Sequence, residues 1–123
     1  MILGVGIDLV ETDRISRIWH RFGQRFSRRI LTAEEAVVLP ARPDEYLASR
    51  FAAKEAAVKA LGTGFSGGIT FQCLSVRSLG SGQPELELRS KALEKAQDLG
   101  VTKIYLSLTH TRSAAAAVVI LEN

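Results

Sequence analysis

The sequence predicts a single small α+β domain in which helices pack against antiparallel strands. Its 123 residues, 46% of them hydrophobic, are enough for one core, so residues 1–123 are treated as one domain. Both ends of the chain carry apolar runs that are typical of strands, whereas the middle carries apolar residues at helical spacing. A glycine-rich turn between two later strands predicts an antiparallel hairpin.

The first elements are expected to be a strand and a broken helix. Residues 2–10 are rich in Val, Ile and Leu and predict a strand buried on both faces. Asp13 is the expected N-cap of the helix that follows, and Gly23 is expected to break or kink it.

Two further helices are predicted from their end signals. Thr32 and Glu35 match a capping box that opens a short helix. A longer helix is expected to begin near Asp44 and to end at Gly62, because glycine suits the position after a helix.

The second half of the chain predicts four strands and one helix. The strands are expected at residues 69–78, 85–89, 104–109 and 114–121. Ser90 is expected to cap the helix, which ends at Gly100. The lone Cys73 is expected to be a buried hydrophobe and excludes an internal disulfide.

The apolar start of the chain, residues 1–10, does not predict a membrane span. It is far shorter than the roughly 20 residues that a spanning helix needs, and it has no basic leader or cleavage site. We therefore expect a soluble cytoplasmic protein.

Two carboxylates are the first candidates for chemistry. Asp8 interrupts an apolar strand, and a backbone hydrogen bond or a salt bridge is the purely structural explanation. Glu55 and Lys59 share an alanine-rich helix face, where an ordinary i, i+4 pair is the alternative. Together Asp8 and Glu55 offer the two oxygen ligands that Mg²⁺ often takes from a protein.

Basic residues surround Glu55 in the sequence. Arg50, Lys54 and Lys59 lie within five residues of it, and cations beside a divalent metal suit the binding and transfer of a polyphosphate. Lys54 falls on the apolar stripe of the helix, so its ammonium is expected to snorkel to solvent.

Two further polar segments are candidate binding sites. Residues 14–29 hold six arginines and no acidic residue, which indicates an acidic partner, either a nucleic acid or a protein. The alternative is that the arginines only form the solvent-exposed face of a helix. In residues 107–111, His110 and the hydroxyl groups of the flanking Thr109 and Thr111 can hold a phosphate. The alternative is a purely structural role for His110.

Taken in order, these motifs resemble one family over nearly the whole chain. They are GIDLVE at 6–11 followed by Arg14, RFAAKEAAVKALGTG at 50–64, and LSLTHT at 106–111. The family is that of the holo-acyl-carrier-protein synthases, the small bacterial type of 4′-phosphopantetheinyl transferase. The resemblance implies the fold of that superfamily, a homotrimer and a transferase that serves fatty acid biosynthesis.

The resemblance also implies roles for the catalytic residues. Asp8 and Glu55 would bind Mg²⁺ at the coenzyme A pyrophosphate, and Lys59 would stabilise the charge that develops during transfer. Glu55 or a metal-associated water would take the proton of the acyl carrier protein serine, and adenosine 3′,5′-bisphosphate would leave.

Binding residues follow from the same resemblance. The coenzyme A pocket would lie at a subunit interface and would include Arg50, Lys59, Gly62, Thr63, Gly64, Thr109, His110 and Thr111, with Arg42 as the candidate contact to the 3′-phosphate. The acidic helix of the acyl carrier protein would meet Arg14, Arg25 and Arg29.

Two other classes compete with this interpretation. A nucleic-acid-binding module would use the arginines but leaves Asp8 and Glu55 unexplained. A purely structural oligomer would bind no ligand. The transferase hypothesis expects neither a nucleic acid nor a membrane as a partner.

Overall fold

The computed structural model describes residues 1–123 as five strands and five helices, with a 3₁₀ turn at Phe71–Cys73. In chain order the elements are β1 (Ile2–Glu11), α1 (Thr12–Phe22), α2 (Gln24–Ile30), α3 (Ala33–Val37), α4 (Asp44–Leu61), β2 (Leu74–Ser78), β3 (Pro84–Leu88), α5 (Ser90–Leu99), β4 (Lys103–His110) and β5 (Ala114–Glu122). No helix combines the length and apolarity needed to cross a bilayer.

All strand pairs are antiparallel and form two sheets. One sheet has the order β1-β5-β4, and the other is the predicted hairpin of β2 and β3. In the larger sheet Asp8 and Leu108 both pair with Ala117 of the central strand. The predicted α+β class, with helices on antiparallel strands, is confirmed.

The long helix α4 lies directly on β1 because glycines of the strand leave room for it. A Cβ added at Gly6 would overlap the carbonyl oxygen of Ala56, and one added at Gly4 would overlap that of Ala60. Small residues on both sides thus allow a close backbone approach. This contact holds Asp8, two residues beyond Gly6, against the second half of α4.

Several local signals act as predicted. The backbone N–H of Thr32 donates to Glu35 Oε1 at 2.8 Å, and Thr32 Oγ1 accepts from the Glu35 N–H at 3.4 Å, which completes the capping box. Gly23, with φ +53°, separates α1 from α2. Gly62, with φ +77°, ends α4 in the left-handed conformation.

Three boundary predictions are wrong. Asp13 is not an N-cap: α1 begins at Thr12, whose N–H donates to the carbonyl of Ser113 at 2.9 Å. Ser90 is not a cap but the first residue of α5, with φ +52° and no capping hydrogen bond. The strand expected at 69–78 begins only at Leu74, because the residues before it form turns. Cys73 is buried, as expected.

Candidate active site

Asp8, Glu55 and Lys59 come together where β1 meets α4. Lys59 Nζ donates to Asp8 Oδ1 at 3.1 Å and to the carbonyl oxygen of Ile7 at 3.0 Å. The Asp8 side chain is 15% exposed and that of Lys59 53%, so this ion pair lies at an open edge of the core. Lys59 therefore pairs with a residue 51 positions away, and no hydrogen bond joins it to its helical neighbour Glu55.

Glu55, the second carboxyl group of the site, is partly buried on α4. Burial raises its pKa above the usual range, and the negative charge of Asp8 raises it further. The charges of Lys59 and Arg14 oppose this shift without cancelling it. Asp8 and Glu55 are thus close enough to repel each other, and added positive charge would relieve that repulsion.

The carboxylate pair fits Mg²⁺ in its donor chemistry. Carboxylate oxygens are hard ligands, and Mg²⁺ usually takes one or two of them and completes its octahedron with water and phosphate oxygens. The structure has no group of three or more His, Cys, Asp or Glu side chains placed around a common point. A Mg²⁺ ion held by Asp8 and Glu55, as the resemblance implies, would thus take two ligands from the protein and the others from water and substrate.

Arg14 lies beside this site. Its guanidinium carbon is 5.8 Å from the ring centroid of Phe51, which is one helical turn before Glu55. Its charge also acts on the pKa of Glu55. Of the three arginines expected to contact an acidic partner, Arg14 is the one placed next to the carboxylate pair.

The other two predicted docking arginines line a groove on α1 and α2. Its volume is about 180 Å³, and its walls are Ile18, Phe22, Arg25, Phe26 and Arg29. Phe22 is 40% exposed and lies beneath the guanidinium groups of Arg21 and Arg25, whose carbons are 5.2 and 5.8 Å from its ring centroid. All six arginines of residues 14–29 are exposed. This face therefore combines positive charge with accessible aromatic surface.

A second cleft brings Arg50 and His110 together. Its volume is about 320 Å³, and it is lined by Pro40, Arg42, Glu45, Tyr46, Ser49, Arg50, Leu108 and His110. Arg50 stacks on Tyr46, at 4.3 Å from the ring centroid, and donates to Ser49 Oγ at 3.0 Å. Its Nε is buried without a hydrogen-bond partner in the protein. The cleft thus has two arginines and a histidine available for an anion.

The flanking threonines of His110 are placed differently from it. Thr109 is exposed and does not line the cleft. Thr111 Oγ1 accepts the backbone N–H groups of Ser113 and Ala114, both at 3.2 Å, and so stabilises the turn between β4 and β5. His110 Nδ1 is 4.0 Å from Glu45 Oε2.

Gly62, Thr63 and Gly64 do not join the cleft of Arg50 within one chain. They form the turn after α4, where Thr63 N–H donates to the carbonyl of Val58 at 3.1 Å. Arg50 and Gly62 are twelve residues apart in and just past the helix, or about 18 Å along its axis. A single chain therefore separates the two halves of the predicted coenzyme A pocket.

The prediction for Lys54 is wrong. Its side chain is fully buried and does not reach solvent, because Glu35 and two backbone carbonyls satisfy its ammonium inside the core. The signal that pointed to burial was its position on the apolar stripe of α4.

Three residues that were not predicted from the sequence also line the cleft with Arg50: Glu45, Tyr46 and Ser49. Glu45 and Tyr46 lie about one turn before Arg50 on the same helix and Ser49 is its neighbour, and this spacing is the signal that places them there.

The carboxylate pair, the cations beside it and the cleft of Arg50 and His110 are suited to a phosphate-bearing substrate. The family model described as the 4′-phosphopantetheinyl transferase superfamily matches residues 4–119, and the chain belongs to this superfamily.

Individual relatives agree with this assignment. The chain is 54% identical over 123 residues to a holo-[acyl-carrier-protein] synthase of Maridesulfovibrio salexigens, with 99% of both chains covered. Its fold is similar to the crystal structure of holo-[acyl-carrier-protein] synthase from Neisseria meningitidis, with a TM-score of 0.91, 39% identity and 100% of both chains covered. The Helicobacter pylori holo-[acyl-carrier-protein] synthase in complex with coenzyme A gives a TM-score of 0.85 at 30% identity, covering 96% of this chain and 99% of that one.

Proposed function

We propose that this protein transfers the 4′-phosphopantetheine group of coenzyme A to a serine of apo acyl carrier protein, as a holo-[acyl-carrier-protein] synthase that serves fatty acid biosynthesis. The observation that carries this proposal is the meeting of Asp8, Glu55 and Lys59 in a chain 54% identical to a protein of that name. The products are holo acyl carrier protein and adenosine 3′,5′-bisphosphate.

The bond changes define what the site must do. The serine oxygen attacks the phosphorus that carries the pantetheine arm, and the bond from that phosphorus to the bridging pyrophosphate oxygen breaks. The electron pair leaves with adenosine 3′,5′-bisphosphate, and the serine proton passes to Glu55 or to a water molecule. Lys59 lies at the carboxylate pair and can stabilise the negative charge that develops.

Mg²⁺ is the proposed cofactor of this site. Asp8 and Glu55 would hold it, and when bound it supplies the positive charge that polarises the phosphate oxygens. The repulsion between Asp8 and Glu55 supports this assignment.

Coenzyme A is proposed to bind between two subunits of a homotrimer. Arg50 and His110 of one cleft would hold its phosphates, with Arg42 close to both for the 3′-phosphate. Gly62, Thr63 and Gly64 would complete the pocket with Thr109 and Thr111 across a subunit boundary, because one chain holds these segments apart. Lys59 would meet the pyrophosphate.

An exposed apolar sheet face supports the trimer. Val5, Ile7 and Leu9 project from β1 with 57%, 67% and 69% of their surface exposed. On the adjacent β5, Val118 and Ile120 point to the same side and are only partly buried. A contiguous apolar face of this kind marks an interaction surface.

The acyl carrier protein is proposed to dock on α1 and α2. Arg25 and Arg29 line the groove there, and Arg14 links this face to Glu55. We favour an acidic protein helix over a nucleic acid as the partner, because a module that only binds nucleic acid would leave the carboxylate pair beside Arg14 without a role. We place the protein in the cytoplasm.

The direct test is intact mass spectrometry of apo acyl carrier protein incubated with the protein and coenzyme A. A gain of one phosphopantetheine mass, dependent on Mg²⁺, is the expected result. No gain with several carrier proteins and a folded enzyme would refute the proposal and favour salt-dependent binding of nucleic acid.

A further inference from the structure

Lys54, the residue before Glu55, is a buried cation that the transfer reaction does not use. Its side chain is 0% exposed. Its Nζ donates to the carbonyl of Ile30 at 2.5 Å, to Glu35 Oε1 at 2.7 Å and to the carbonyl of Phe71 at 3.2 Å. These acceptors belong to the end of α2, to α3 and to the 3₁₀ turn, so one ammonium joins three segments to α4.

The end of α2 is completed by side chains from elsewhere in the chain. The last carbonyls of a helix have no partner within it, and in α2 these are the carbonyls of residues 28–31. The two amide hydrogens of Gln72 Nε2 serve the carbonyls of Leu31 at 2.5 Å and Arg28 at 2.7 Å, with that of Arg29 at 3.4 Å as a longer, shared contact. Lys54 donates to Ile30, the remaining one. A cation is also favourable at this negative end of the helix dipole.

The counter-ion of Lys54 is fixed as well. Glu35 Oε1 accepts the N–H of Thr32, and its Oε2 accepts the N–H of Val76 in β2 at 2.7 Å. The pair of Lys54 and Glu35 is therefore fixed to β2 of the hairpin through Glu35 and to the end of α2 through the carbonyl of Ile30. A buried ion pair often gives little net stability over an apolar substitute, so the consequence here is a fixed geometry.

We propose that Lys54 and Gln72 are positioning residues that fix the carrier-docking helix α2 relative to Glu55 on α4. Lys54 lies on α4, the helix that carries Glu55, and Gln72 lies in the 3₁₀ turn. Since α2 carries Arg25 and Arg29, the two contacts set the distance between the docking surface and the transfer site. This inference rests on the proposed docking role of α2.

Gln72→Met provides the main test, because Gln72 is exposed and its loss leaves the core intact. This variant removes the amide donor of Gln72 but keeps a side chain of nearly the same length and shape. We expect the KM for apo carrier protein to rise roughly three- to tenfold while the KM for coenzyme A stays near wild type. Tm should fall by only a few degrees, because the lost hydrogen bonds are largely exposed to solvent. Hydrogen exchange of residues 24–31 should become faster. Gln97→Met, on exposed α5, is the matched control and should change neither quantity.

Lys54→Met should also raise the KM for apo carrier protein more than that for coenzyme A, and by a larger factor than Gln72→Met does. It should lower Tm as well, because it leaves the buried Glu35 without its cation. A double-mutant cycle then separates positioning from general stability. If Gln72 acts through the arginines of α2, the effect of Arg29→Ala on the carrier KM should shrink in the Gln72→Met background. Equal effects in both backgrounds would overturn the inference.

Arg25→Ala and Arg29→Ala in the wild-type background report the docking role by itself. If both raise the carrier KM but Gln72→Met leaves that KM and the exchange of residues 24–31 unchanged, docking on α2 stands and the positioning role is wrong. If neither arginine variant changes the carrier KM, the docking proposal fails, and this inference fails with it.

Discussion

Lys59 and Asp8 form an ion pair that joins the long helix to the first strand, with Nζ 3.1 Å from Oδ1. The pair compensates a carboxylate that would otherwise interrupt an apolar strand without a partner. It also turns Lys59 toward the carboxylate pair and away from the open helix surface. The same ion pair therefore neutralises a carboxylate at the edge of the core and places the lysine ammonium where the proposed chemistry requires it.

The first prediction concerns the strand that carries Asp8. Gly6→Ala should destabilise the protein by about 1–3 kcal/mol or more, because the added Cβ would overlap the carbonyl oxygen of Ala56. Gly80→Ala is the control, since a Cβ at Gly80 meets no atom within 4 Å. Urea unfolding measures both, and an unchanged midpoint for Gly6→Ala would contradict the close approach of β1 to α4.

A second prediction concerns the pH dependence of the metal-free protein. Folding raises the pKa of Glu55, so the folded state binds the proton more tightly, and this contribution to stability is lost as the pH rises through the raised value. At neutral pH, Glu55→Gln should therefore stabilise the metal-free protein, by less than about 1 kcal/mol because solvent screens a partly exposed side chain.

Thermal unfolding at pH 4.5 and pH 8 in the presence of a chelator tests this. The gain in Tm should be larger at pH 8 than at pH 4.5. Glu94→Gln, on the exposed face of α5, is the control. A variant that is less stable than wild type at pH 8 would be inconsistent with a destabilising Glu55.

The proposed carrier-docking surface gives the third prediction. Arg14→Glu should raise the KM for apo carrier protein about tenfold or more and change that for coenzyme A much less, because surface charges mainly govern association. Lys91→Glu makes the same charge change on α5, away from this surface, and should leave both constants near wild type. Equal effects of Arg14→Glu on the two substrates would remove Arg14 from the docking surface.

The fourth prediction tests the shared pocket. Ile7→Lys places a charge on the exposed face of β1 and should convert the proposed trimer to a single 13.4 kDa chain in light scattering, with loss of transfer. Leu93→Lys, at a 42% exposed position of α5, should leave assembly unchanged.

Co-expressed Asp8→Asn and His110→Ala chains should regain activity that neither has alone. A monomeric wild-type protein that is fully active would exclude a site shared between subunits.

Local signals in the sequence were sufficient for most of the fold. The capping box at Thr32, the break at Gly23 and the end of α4 at Gly62 each depend on a few neighbouring residues, and the structure forms all three. The starts of α1 and α5 were misplaced because neither helix has a side-chain cap; the chain entering each is held instead by a distant backbone carbonyl, that of Ser113 for Thr12 and that of Cys73 for Arg89.

Side-chain partners were harder to predict, because they come from residues remote in sequence. Lys54 is satisfied by Ile30, Glu35 and Phe71, none of which is near it along the chain, and only the fold reveals that a lysine fits there. Lys59 likewise bonds to Asp8, although helical spacing suggested Glu55. The separation of Gly62 from His110 also depends on the tertiary fold.

The most direct measurement of the central claim is the rate of holo carrier protein formation by wild type and by Asp8→Asn, followed by intact mass spectrometry at saturating coenzyme A and Mg²⁺. Asn keeps the shape of Asp8 but removes its charge, and a surface-edge ion pair contributes at most about 1 kcal/mol, so the variant should stay folded. The account predicts a fall of about a hundredfold or more in the rate. A folded Asp8→Asn protein that transfers at the wild-type rate would contradict it.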